Sequence, residues 1–352
     1  PHFFVFVMTL LTGILVATLA LTPRFRMWFG PAIHVPFVKF KVPGSLVMLS
    51  GGLMILCITI MMDNLWHSAF GLDETQWSMP HDMLGWSWLT IILGFVSARL
   101  AFREYRPLNW ITTLVLALLV LEFLCSPLLG PFYLNYSPVL LHALANLPIV
   151  RGEPTAQHMY RIYLHYELTR QTSPLFILMV TGFAGIALGF LQRLDKSARI
   201  FLLAPLLWSL ALMGRDIYTI WFLHIEGARH IMDVLPVMLH EPSLWIPIPL
   251  VVAALVFMGL QRSSFRESRR YAIAGLVFGC CTFLIWHTSP WFLVPALLAI
   301  IIMPLGARIG AWICDLILQP TFAGLMRFVL ICCAQIPAAL GVVDLILRRT
   351  TP

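Results

Sequence analysis

Residues 45–62 read SLVMLSGGLMILCITIMM and run straight into Asp63-Asn64-Leu65-Trp66-His67, with Asp73 and Pro80-His81-Asp82 following before the next apolar run opens at residue 83. An uncharged run of that length suits one helical crossing of a bilayer. Its composition is continuous rather than alternating, which predicts a helix and not a barrel strand. The polar residues at its mouth are a different matter. Carboxylates and imidazoles at that depth cost several kcal/mol unless they are paired, hydrated or bound to something.

The rest of the chain repeats the pattern. Of 352 residues, 60% are hydrophobic and 11% are charged, and the mean hydropathy is +0.87. A soluble domain carries about 25% charged residues. The composition therefore predicts an all-α, polytopic integral membrane bundle. Apolar runs at about 3–22, 45–62, 83–102, 110–129, 173–192, 198–214, 244–260, 271–287, 291–307 and 322–347 give about ten spans, with 308–320 either extending the ninth or lying along the interface. The whole chain, 1–352, reads as one membrane domain. Pro and Gly within and beside the spans predict kinked or broken helices. Because the chain opens on Pro1 and not Met, further sequence is expected to precede it.

The net charge of +7 does not point to nucleic acid, since the basic residues sit in short loops and form no stripe. Arg24, Arg26, Lys39 and Lys41, then Arg99, Arg103 and Arg106, then Arg193, Lys196 and Arg199, then Arg262, Arg266, Arg269 and Arg270 fall on one side of alternating spans. By the positive-inside rule that side is the cytoplasm. The chain is then expected in the cell inner membrane. Histidines and most acids gather on the opposite, periplasmic side, in 63–82 and in two longer, partly helical segments, 130–172 and 214–243.

Three groups carry candidate chemistry. Asp63 and His67 are four apart and share a helical face; His81 returns after the turn. Two imidazoles and one carboxylate suit copper, iron or zinc. Asp73 and Asp82 are further ligands or partners of an imidazole N–H, and Trp66, Trp77, Trp86 and Trp88 flank the group. Glu226, His230 and Asp233 share a second face by their i, i+4 and i, i+3 spacing, as His158 and His165 share a third. Structural hydrogen bonding, helix capping by Asp82 and proton handling are the alternatives. Glu122 stands deep in the fourth span. The seven cysteines show no paired spacing that would predict a zinc knuckle or disulfide framework.

The run Asp63-Asn64-Leu65-Trp66-His67, with Asp73 and Pro80-His81, resembles the Asp-x-x-Trp-His motif in the C subunit of the copper-containing membrane monooxygenases (the particulate methane and ammonia monooxygenase family). The resemblance covers about twenty residues. It implies Asp63, His67 and His81 as ligands of a copper-type site, a small apolar substrate and other membrane subunits as partners. Two further readings stand beside a metal-dependent oxidoreductase: a metal or proton transporter, and a non-catalytic subunit of a larger respiratory or photosynthetic complex.

Overall fold

The computed structural model describes residues 2–36, 41–70, 79–102, 109–129, 174–195, 198–225, 247–286 and 293–330. These are mostly helical: α1 (His2–Leu21), α2 (Pro23–Arg26), α3 (Gly44–Phe70), α4 (Met79–Ala101), α5 (Trp110–Leu129), α6 (Pro174–Leu194), α7 (Ala198–Ile225), α8 (Pro247–Gly259), α9 (Glu267–Trp286) and α10 (Leu293–Leu318). A further helix, α11, occupies 322–330. Among the described residues, four stretches are long and apolar enough to cross a membrane: Gly44–Leu65, Met83–Ala101, Ile177–Leu194 and Leu293–Leu318. A fifth counts if Leu10–Ala20 and Pro23–Phe29, whose axes differ by 98°, form one broken span.

The element boundaries follow local chemistry. Asn109 starts α5 by accepting the Thr112 N–H at 2.8 Å and the Thr112 hydroxyl at 2.9 Å, the usual N-cap device. Pro23 opens α2 at a position where its missing N–H costs nothing. A short antiparallel ribbon pairs β1 (Ala32–His34) with β2 (Lys41–Pro43), in a region read from sequence only as a basic loop. It begins beyond Gly30, whose φ of 78° reverses the chain. Residues 308–318 continue α10, so that segment extends the ninth apolar run.

The chain divides into two compact units, 1–131 with 311–340, and 132–310 with 341–352. In the first, α3 and α4 pack along their length through small residues. A Cβ on Gly52 would stand 2.7 Å from Ile91 Cγ1 and 3.1 Å from the Ser87 carbonyl oxygen, and one on Gly94 would stand 3.0 Å from the Leu49 nitrogen. Ser97 donates its hydroxyl to the Ile317 carbonyl at 2.7 Å, and Phe328 packs against Trp86 and Trp312 at 6.5 and 6.3 Å between ring centres.

The second unit uses the same principle more heavily. Gly185 and Gly189 of α6 face Gly306, Ala307 and Gly310 of α10, while Gly275 and Gly279 of α9 face Ala296 and Ala299 of α10. Each glycine pair is a G-x-x-x-G, the spacing that lets apolar helices approach backbone to backbone. Phe257 is buried, its ring centre 5.2 Å from that of Phe201 and 4.4 Å from that of Tyr271; Tyr271 donates to the Gln192 side-chain oxygen.

Adjacent glycines in α3 provide a matched test. Gly51 has open space where a Cβ would go, and Gly52 does not. Gly51→Ala should stabilise by up to about 1 kcal/mol through helix propensity. Gly52→Ala should destabilise by about 1–3 kcal/mol because α3 and α4 must separate. Thermal unfolding of the two variants in one detergent measures the difference.

Candidate metal centre

Helix α3 does not stop where the apolar run stops. It continues through Asp63 and His67 to Phe70, so the expectation that these two residues share a helical face holds for the backbone that carries them. Within this extension the Ser68 hydroxyl donates to the Asn64 carbonyl at 2.8 Å. Leu49, Gly52, Leu56, Thr59 and Asp63 recur at three- and four-residue intervals, and all are buried. Gly52 lies against α4, and Asp63, eleven residues on, returns to within about 20° of the same direction. Asp63 thus ends the stripe that α3 turns toward α4.

The outward stripe is equally regular. Met54, Ile58, Met61 and Leu65 are 62%, 41%, 61% and 69% exposed, against 4% for Asp63. A carboxylate on the outward stripe would meet whatever surrounds the helix, whereas Asp63 is held within the protein. Its Oδ1 is enclosed and accepts no hydrogen bond among the described residues, and the side chain is engaged elsewhere in its surroundings. Thr59, one turn earlier, satisfies its own hydroxyl by donating to the Ile55 carbonyl at 2.7 Å.

The contacts of Gly52 with Ser87 and Ile91, and of Gly94 with Leu49, fix an antiparallel register. Carried along both helices at about 1.5 Å per residue, it sets Asp63 roughly level with Met79, the first residue of α4. His81 lies within one turn of that level and His67 one turn beyond it. Position 81 is on the flank of the α4 face that meets α3, about a third of a turn from the line through Ser87, Ile91 and Gly94. Asp82 is the fourth residue of α4, inside the first turn and not ahead of it, where a negative charge favours the helix dipole.

The side chains of His67, His81, Asp82 and Trp66 lie outside the described residues, as do Asp73, Trp77, Glu226, His230, Asp233, His158 and His165 altogether. Among the described residues no three His, Cys, Asp or Glu side chains come together as a metal-binding group. Trp86 is buried against Phe328 and Trp88 pairs with Phe123 at 6.5 Å, both deeper along the pair than Asp63. Met54 and Met61 project away from Asp63 on the exposed stripe. Glu122 sits on the exposed side of α5 with Val115 and Leu119, and it too is engaged by its surroundings. Cys57, Cys280, Cys281 and Cys314 form no disulfide among the described residues. No protein-family model, curated protein or solved structure matches the chain.

Replacing Asp63 separates a structural carboxylate from a functional one. Removing one member of a buried polar interaction leaves the other unsatisfied, at a cost of about 1–3 kcal/mol for a hydrogen bond and about 3–5 kcal/mol for an ion pair. Asp63 is engaged by its surroundings, so Asp63→Leu should lower stability by at least about 1 kcal/mol, as measured by thermal unfolding in detergent. Unfolding at or above wild type would show that the carboxylate is dispensable to the fold and is kept for another purpose.

Proposed function

We propose that the protein is a polytopic integral membrane protein of the cell inner membrane, with about ten spans and a transition-metal centre at the periplasmic mouth of the α3/α4 pair. In this reading Asp63, His67 and His81 are the ligands, copper is the favoured ion, and iron and zinc are the alternatives. The protein then serves as an oxidoreductase of monooxygenase type, or as the metal-bearing subunit of one. Its substrate is small and apolar, and its partners are other membrane subunits.

One observation carries the reading: Asp63 is buried at the end of the α4-facing stripe, level with the turn of α4 that carries His81. An ionisable residue kept inside an apolar helix pair is costly to hold there, which makes it a candidate for function. The donor set fits a first-row transition metal, with a carboxylate supplying charge and neutral imidazoles supplying nitrogen. A copper-type ion bound there supplies dioxygen activation. The chain's own residues hold that ion at the helix ends and exclude water from below, through Leu56 and the tight α3/α4 contact.

The exposed apolar stripes support the membrane reading. Met54, Ile58, Met61 and Leu65 on α3, and Leu297, Ile301 and Leu305 on α10, are large, apolar and outward, the composition of a lipid-facing surface. Asp73 and Asp82, with Glu226, His230 and Asp233, remain proposed partners of the imidazoles or additional ligands.

Metal analysis of protein purified without chelator tests the proposal. Wild type should carry about one transition-metal ion per chain, and the His67→Ala, His81→Ala double variant should carry almost none, because losing two of three protein ligands leaves too few donors. Equal metal content in the two would remove the site and leave the scaffolding-subunit reading.

A further inference from the structure

We propose that the elbow after α1 binds the phosphate of an anionic phospholipid headgroup. Residues 1–62 contain no Asp or Glu, so no acid in this part of the chain neutralises its cations. The helix axis turns by 98° between Leu10–Ala20 and Pro23–Phe29. If α1 crosses the membrane, a turn of that size lays the elbow in the plane of the interface. Arg24 and Arg26 are exposed there, and so are Met27 at 45% and Trp28 at 44%.

The elbow is held in place by contacts within its own unit. Arg26 donates to the Lys41 carbonyl at 2.5 Å, tying the short helix to the ribbon. Ser45 donates to the Phe29 carbonyl at 2.5 Å. Gly30 sits so close to Ala101 that any Cβ there would overlap it. Trp28 stands edge-on to Phe25 at 4.7 Å and to Phe102 at 6.0 Å. Arg24, Arg26 and Lys41 are therefore presented from a fixed frame, beside an indole anchored at one edge and open at the other.

That combination discriminates between sources of phosphate. Cations alone attract any anion. Exposed Trp and Met beside them add nothing for inorganic phosphate but contact the glycerol and upper acyl region of a lipid, where interfacial aromatics settle. The basic loop's assignment to the cytoplasmic side, where anionic lipids attract juxtamembrane Lys and Arg, agrees with the same occupant.

Native mass spectrometry of the full chain, delipidated in detergent and then supplemented with phosphatidylglycerol or phosphatidylcholine, tests the site. Wild type should retain phosphatidylglycerol roughly ten-fold or more over phosphatidylcholine, and Arg24→Gln with Lys41→Gln should erase most of that preference. Trp28→Ala should lower retention of phosphatidylglycerol while leaving the cations in place. Arg26 is left intact because it holds the ribbon, and Arg24→Lys should keep the preference, which separates charge from misfolding. Equal retention of the two lipids, a preference unchanged in the double variant, or displacement of the lipid by millimolar inorganic phosphate would overturn the proposal.

Discussion

Close approach of apolar helices through glycine is the constraint on which the rest of this structure depends. Small residues let apolar helices approach until their backbones touch, and in the proposed bilayer setting that van der Waals contact would be what holds them together. Gly52 and Gly94 supply it between α3 and α4, and the glycines at 185, 189, 275, 279, 306 and 310 supply it in the second unit. Where two backbones lie this near, each side chain along the seam has a fixed neighbour. A polar residue in such a seam is then held in one place.

Asp63 is that residue in the first unit. The stripe that begins at Leu49 and Gly52 continues through Leu56 and Thr59 and ends on a carboxylate, with no change of direction. The same register sets it beside the first turn of α4. In the proposed centre, Asp63 would be the ligand fixed by helix packing, and the imidazoles of His67 and His81 would close around it from the helix ends. The exposed apolar stripe on the other side of α3 explains why the charge is not simply a surface residue, since two positions later the chain presents Leu65.

Much of this was legible in the sequence, for reasons that can be named. Long continuous apolar runs without period-two alternation read as helices, and α1, α3, α4, α5 and α6 lie close to where hydropathy puts them. Hydropathy alone places the end of α3 too early, at residue 62, because it reads Asp63 as a stop whereas the backbone continues its hydrogen bonds to Phe70. The ribbon Ala32–His34 with Lys41–Pro43 was hidden because its strands are three residues long, too short for any alternation to register. The helix seams were written in the sequence as three G-x-x-x-G spacings, a signal that a search for titratable residues passes over. The burial of Asp63 was likewise readable from its seven-residue offset from Leu56, whereas its proximity to the start of α4 needed the register that Gly52 and Gly94 set.

The proposed metal would sit where the α3/α4 seam ends on Asp63, and crystals of the protein grown with copper, with an anomalous difference map collected at the copper edge, would reveal it. A single strong peak is expected within about 2–2.5 Å of the Asp63 carboxylate and of imidazole nitrogens from His67 and His81. A map with no peak there, or with its peak among other residues, would contradict it.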